Sequence, residues 1–198
     1  MRISGGIARG IPLLVPKGEI VRPATDRLRQ AVFSSLAARI AGARFLDLFA
    51  GSGAYGLEAL SRGASGGVFV ERNPKAVDCL RRNLSAVCKS LKRDERADIA
   101  VIPADATKAP AVGAAPDLVF IDPPYELIES AAAPLFARLT NLLAAQPEAL
   151  VVFEMPGECE LAPPGWRTVK RLGNGARQPT AVFFIRDAVA DSARRSRQ

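Results

Sequence analysis

The chain has 198 residues, 48% hydrophobic and 24% charged, with no apolar run long enough to span a bilayer, which suits one folded domain with a sizeable core. Lys and Arg total 27 against 20 Asp and Glu, a formal net charge of +7 that favours a polyanionic partner such as nucleic acid. There is no His, and Cys79, Cys88 and Cys159 form no C-x-x-C pair, which excludes His-based triads and argues against a disulfide framework and a zinc site.

The opening MRISGGIARG lacks the apolar core of a signal peptide, so a cytoplasmic protein is expected. Ile3 and the run Ile11 to Val15 predict a small hairpin or extended arm. In RPATDRLRQAVFSSLAARI, Thr25 can cap a helix and Asp26 suits its first turn. Leu28, Val32, Leu36 and Ile40 recur every four residues and give that helix one apolar face.

From Arg44 the pattern alternates. RFLDLF reads as a buried strand, YGLEALSRG as a helix stopped by Gly63, GGVFVE as a strand, and Pro74 to about Leu91 as a helix. DIAVI and DLVFID are two more strands. Glu126 to Ala145 reads as a helix that Pro134 should kink or interrupt. ALVVFEM is a further strand, and WRTVKRL and TAVFFIR fit a closing hairpin. The pattern predicts a doubly wound α/β fold with a mostly parallel sheet. Residues 1–187 read as a single domain, with 1–42 forming an N-terminal arm and helix. Residues 188–198 read as a flexible basic tail.

Ligands of such sheets bind at the carboxyl ends of the strands. Gly51, Gly53 and Gly56 stand there in G-x-G-x-x-G spacing, with Glu71 about twenty residues on, where it could hold ribose hydroxyls. A dinucleotide would place a pyrophosphate against this loop, and Asp47 beside it would repel that group. S-adenosylmethionine brings an ammonium group instead, which a carboxylate favours. Asp105 could accept from an adenine amine, or simply cap a turn.

VFIDPPYE raises a separate question, because a strand here ends in an acid, two prolines and a tyrosine. Pro123 and Pro124 stiffen the turn and remove two N–H donors, leaving the Asp122 carboxylate and the Pro123 carbonyl as acceptors. Acceptors at that lip suit an exocyclic amine of a nucleobase. Tyr125 offers a face for the base to stack on, worth about 1–3 kcal/mol in single-strand binders. In-line positioning of the amine against a methyl sulfonium needs no His.

DLFAGSG and DPPY together resemble the amino-methyltransferases that act on bases. With RISGGIARG, RPATDRLRQAVFSSL and LDLFAGSGAYGLEALSRGA, the chain is similar to a narrower group, the bacterial 16S rRNA (guanine(966)-N2)-methyltransferases, from Arg2 to about Ile185. The resemblance implies a seven-stranded Rossmann-like methyltransferase with a short N-terminal extension. The implied activity is S-adenosylmethionine-dependent N2-methylation of one guanine in 16S rRNA, in a small-subunit particle; nothing in the sequence demands more than a monomer, and its residues suggest no metal site.

The resemblance implies Asp122, Pro123, Pro124 and Tyr125 as the catalytic pocket. For the cofactor it implies Asp47, Phe49, Gly51, Ser52, Gly53, Glu71, Arg72, Asp105 and Ala106, with Thr25 and Asp26 close by. Arg2, Arg9, Lys17, Arg22, Arg27 and Arg29 crowd the first thirty residues as a phosphate-binding arm. The sequence departs from the group at Ala24, where a second Thr is usual, and in the GNGARQPTA turn. Two other readings stay open: a DNA adenine-N6 or cytosine-N4 methyltransferase, and, more distantly, a dinucleotide-dependent oxidoreductase.

Overall fold

A computed structural model describes residues 1–16, 23–94, 98–110, 113–173 and 175–187, except for the side chains of residues 23–25. Seven strands form one sheet in the order β3-β2-β1-β4-β5-β7-β6. The strands β1 (Arg44–Leu48), β2 (Gly66–Glu71), β3 (Ile99–Pro103), β4 (Leu118–Ile121) and β5 (Leu150–Pro156) run parallel. β7 (Pro179–Arg186) lies antiparallel between β5 and β6 (Trp166–Leu172), so the expected closing hairpin is present.

Period-two alternation divides the core between the two faces of the sheet. Phe45, Phe69, Phe120 and Phe183 point to the face covered by α1 (Pro23–Ser35), α2 (Ala37–Ile40), α3 (Ala54–Ser61) and α4 (Pro74–Ser90). Leu48, Val70, Val119, Ile121, Phe153 and Phe184 point to the face covered by α5 (Ile128–Leu142). Leu28, Val32, Leu36 and Ile40 are all buried, although the helical run breaks at Leu36 between α1 and α2. Asn73 caps α4 by accepting from the Lys75 N–H at 3.0 Å, with Pro74 at the first helical position.

Pro134 corrects an expectation, because α5 runs through it without interruption. Proline removes the bond to the carbonyl four residues back, here that of Ser130. Both residues lie on the solvent side of the helix, where water can take up the freed carbonyl. The helix also begins later than expected, after a single 3₁₀ turn over Tyr125–Leu127.

The N-terminal segment closes as a small hairpin. The Ile3 N–H donates to the Ile11 carbonyl (3.0 Å), and the Gly10 N–H donates to the Ile3 carbonyl (2.9 Å). Buried side chains of the helices hold it down. Glu58 accepts from the Ser4 N–H and Oγ, both at 2.7 Å, and Ser61 Oγ accepts from the Ala8 N–H at 2.9 Å. Asn83 accepts from the Leu14 N–H (2.8 Å) and donates to both the Leu14 carbonyl and the Ser52 carbonyl (2.9 Å each). One buried amide therefore links the arm to the glycine loop. No helix among the described residues is long and apolar enough to cross a membrane.

Candidate active site

Strand order reverses between β1 and β4, and a crevice opens outside the carboxyl ends of the strands at such a point. A cleft of about 570 Å³ lies there, lined among others by Asp47, Glu71, Asp122, Tyr125 and Glu154. That volume lies within the usual range for small-ligand sites.

The first wall is the turn from β1 into α3. Phe49 has φ 58°, a left-handed conformation costly for a bulky residue, so the turn stores strain where it meets the cleft. Gly53 has φ +85°, and a Cβ there would fall 2.2 Å from Leu80 Cδ1. A Cβ on Gly56 would fall 2.3 Å from Phe69 Cε1 and 2.6 Å from Phe45 Cε2, so this glycine lets α3 settle on the sheet. Gly51 and Ser52 line the cleft, and Gly53 lies behind them against α4.

Two carboxylates are fixed by this backbone. Glu71 accepts from the Gly51 N–H (2.8 Å) and the Asn73 N–H (2.7 Å), one bond to each oxygen, which leaves lone pairs for a hydroxyl ligand. Asp47 is 2% exposed and accepts from the Gly56 N–H at 2.9 Å. No salt bridge to Asp47 occurs among the described residues. Burial raises its pKa from 3.8 to about 7, the Gly56 bond works against the rise, and Glu71 adds to it. A buried carboxylate that lines the cleft and is in no salt bridge of its own could hold the ammonium of S-adenosylmethionine.

The second wall is the end of β4. Pro123 is buried, Pro124 exposed and Tyr125 half-buried. Asp122 is exposed to the cleft yet ringed by protein atoms. That crowding raises its pKa well above the usual carboxylate range, Glu154 and Asp47 push it further, and Arg29 opposes them. Water reaching Asp122 moderates the size of the rise but not its direction.

Two cleft residues were not singled out from the sequence. Tyr55, at the start of α3, is 7% exposed, stacks on Phe120 at 5.2 Å between ring centroids, and donates its hydroxyl to Glu154 Oε2 at 2.7 Å. Burial raises the pKa of that hydroxyl well above its usual value, with Glu154 and Asp122 adding to the rise. Glu154 is 3% exposed, and its carboxyl is raised by burial against the opposing effects of the Tyr55 hydroxyl and Arg29. An acid within the apolar run ALVVFEM was the available signal.

Other expected residues stand differently. Arg29, expected to face phosphate, is 2% exposed. Its guanidinium lies 3.0 Å from Asp26 and 3.7 Å from Glu58, and it donates to the Arg2 carbonyl at 2.7 Å. It is a buried cation at the wall of the cleft, held there by three surrounding acceptors. Asp26 pairs with Arg29 and is not among the cleft-lining residues. Asp105 Oδ1 accepts from the Thr107 hydroxyl (2.8 Å) and N–H (2.9 Å), which lowers its pKa. This is a turn cap, and only its neighbours Ala104 and Ala106 line the cleft. Phe49 and Arg72 do line it. Arg2, Arg9 and Arg27 are exposed, while Lys17, Arg22 and the Thr25 side chain lie outside the described residues.

A family model described as conserved hypothetical protein 95 matches residues 1–182. The Bacillus subtilis protein YlbH is 33% identical over 165 residues, which span 81% of this chain and 85% of that protein. Ribosomal RNA small subunit methyltransferase D of Haemophilus influenzae is 32% identical over 176 residues, 88% of this chain and 89% of that protein. The solved structure of the Escherichia coli protein yhhF matches with a TM-score of 0.72 at 34% identity, over 95% of this chain and 98% of that one. By the extent of these matches, and in keeping with the resemblance of its motifs, the chain belongs to the conserved hypothetical protein 95 family, with the ribosomal RNA small subunit methyltransferase D proteins among its relatives.

Proposed function

We propose that this chain methylates the N2 amine of one guanine in small-subunit ribosomal RNA, with S-adenosylmethionine as the methyl donor. The observation that carries this reading is the placement of Asp122. It is a carboxylate open to the cleft, directly after β4, the strand beside β1, and it shares that cleft with Asp47 and Glu71. Family membership supports an RNA methyltransferase, since a relative of matching length carries that name.

S-adenosylmethionine supplies an electrophilic methyl group on a sulfonium. Asp47 binds its ammonium, and Glu71 binds its ribose through lone pairs that Gly51 and Asn73 leave free. Asp122 and the Pro123 carbonyl accept from the two amine N–H groups and turn the nitrogen lone pair towards the methyl group. Tyr125 stacks on the base, which must leave its helix to reach the cleft. After transfer the amine is cationic and acidic, and Asp122 takes its proton. A carboxyl whose pKa is raised holds that proton better.

The test uses labelled S-adenosylmethionine with unmodified small subunits, free 16S rRNA and unmethylated DNA, identifying the product nucleoside by mass. The expected product is N2-methylguanine at one rRNA position. Asp122→Ala should retain cofactor affinity and lose transfer by about 10²-fold or more, the usual scale for a lost proton-transfer group. Methylated adenine or cytosine in DNA, or full activity in the variant, would refute the reading.

A further inference from the structure

We propose that Glu154 accepts a hydrogen bond from the ring N1–H of the target guanine and thereby selects guanine over adenine and cytosine. The inference rests on the guanine-N2 reading above and extends it to the residue that discriminates the base.

The sheet places Glu154 for this role. Ile121 pairs with Phe153 across the parallel strands β4 and β5, and both belong to the core on the α5 side. The next residues, Asp122 and Glu154, therefore stand level with one another on the opposite face, one strand spacing of about 4.8 Å apart. Both line the cleft. Two neighbouring acceptors match two neighbouring donors, since guanine carries N1–H beside its N2 amine.

The chemistry discriminates sharply. In adenine and cytosine the ring nitrogen beside the exocyclic amine carries a lone pair. A carboxylate accepts from guanine at that position and repels the other two bases. Sites built to bond a donor reject analogues that lack it, because a buried polar group is left unpaired. Glu154 meets the condition at 3% exposure.

The surroundings of Glu154 fix which oxygen faces the base. The Tyr55 hydroxyl donates to Oε2 at 2.7 Å, and no second hydrogen bond to the Glu154 carboxylate occurs among the described residues. Tyr55 is itself held between Phe33 and Phe120, with ring centroids at 6.1 and 5.2 Å. Burial raises the pKa of Glu154, and the Tyr55 hydroxyl and the Arg29 guanidinium oppose that rise in favour of the accepting carboxylate. A residue that merely anchored Tyr55 would need no place on the cleft wall.

The experiment compares two reconstituted small subunits whose rRNA carries guanine or 2-aminopurine at the target position. Both bases present the N2 amine, but N1 of 2-aminopurine has a lone pair in place of the hydrogen. The parent enzyme should prefer guanine by roughly 10- to 100-fold, the range for a buried hydrogen bond to a charged group. In Glu154→Gln the Tyr55 hydroxyl donates to the carboxamide oxygen, and the amide NH₂ stands where Oε1 stood. That variant should lose rate on guanine, gain on 2-aminopurine, and shift the ratio by about tenfold or more. The missing O6 of 2-aminopurine is common to both enzymes and cancels in this comparison.

Cofactor affinity and the urea midpoint of Glu154→Gln should stay near the parent's. A purely structural role would move those and leave the ratio alone. Equal use of both bases by the parent overturns the proposal without any variant, and so does an unchanged ratio in a folded Glu154→Gln. If the parent forms no N2-methylguanine at all, the guanine reading falls first and this inference falls with it.

Discussion

Asp47 gives the most quantitative handle on the cleft. Its carboxyl titrates near 7 because it is buried, whereas an ordinary aspartate does so near 3.8. If only the ionised form binds the ammonium of S-adenosylmethionine, affinity follows the ionised fraction. That fraction is about nine-tenths at pH 8 and about one-tenth at pH 6, so the apparent Kd should weaken about tenfold between them. Isothermal titration calorimetry measures this directly. Near pH 7, buffers of different ionisation enthalpy should report release of about half a proton per cofactor bound. Asp47→Asn should bind more weakly and lose both the slope and the proton.

The same shift governs the free protein, with the opposite consequence. Its folded state keeps a proton that the unfolded chain has already lost. The stabilising contribution is therefore complete below pH 3.8 and fades as pH rises through about 7. The full swing is on the order of 4 kcal/mol. Asp122 and Glu154, raised for similar reasons, act in the same direction. A cofactor Kd that is flat from pH 6 to pH 8, with no buffer-dependent heat, would refute the assignment of Asp47 to the ammonium.

Two further perturbations test how the cleft is supported. Asn83→Ala removes the bonds to both backbone groups of Leu14 and to the Ser52 carbonyl, and should destabilise the fold by about 2–4 kcal/mol. Urea denaturation checks this, and cofactor affinity should fall as well because Ser52 lines the cleft; a change in stability alone would mean the loop holds its shape without the arm. Gly56→Ala places a methyl group against Phe45 and Phe69 and should cost about 1–3 kcal/mol by overpacking, despite the better helix propensity of alanine. A urea midpoint equal to the parent's would show that α3 can lift off the sheet without penalty.

Local pattern exposed most of the architecture. The strands that end at Leu48, Glu71, Ile121 and Pro156 were legible as short apolar runs bounded by Gly, Pro or acids. The glycine spacing located the cleft because each glycine meets a local demand, in the loop itself or against the sheet. Asp122 was legible because an acid before two prolines is odd at a strand end.

What stayed hidden depends on partners distant in sequence. Arg29 was counted with the surface cations because Glu58, which holds it inside, lies 29 positions away on α3. Tyr55 was hidden in a helix start whose glycines drew all the notice. Glu154 was hidden because a central strand buried on both faces reads as a continuous apolar run, and its acid acquires meaning only beside Asp122. Asp105 was ambiguous in the sequence, since a cleft loop and a capped turn use the same residue type, and in the structure its Oδ1 caps the turn.

The parallel sheet explains why so many acids meet in one place. Parallel strands end on the same side, so acids at the ends of β1, β2, β4 and β5 add to one field. Asp47, Asp122 and Glu154 crowd the cleft together, and Arg29 is the buried cation beside them. Arg29 is itself shared with Asp26 and Glu58 on its far side, so its charge offsets the cleft acids only in part. The acids of the cleft outnumber its cations, and the ammonium, amine and ring N–H groups of the proposed ligands are the donors that would complement it. The arm belongs to this balance. Arg29 donates to the Arg2 carbonyl, and Glu58 holds Ser4 through its N–H and hydroxyl. Pulling the arm away would uncover buried charge at both residues. The N-terminal hairpin is therefore a structural wall of the cleft's electrostatics as well as a carrier of exposed arginines.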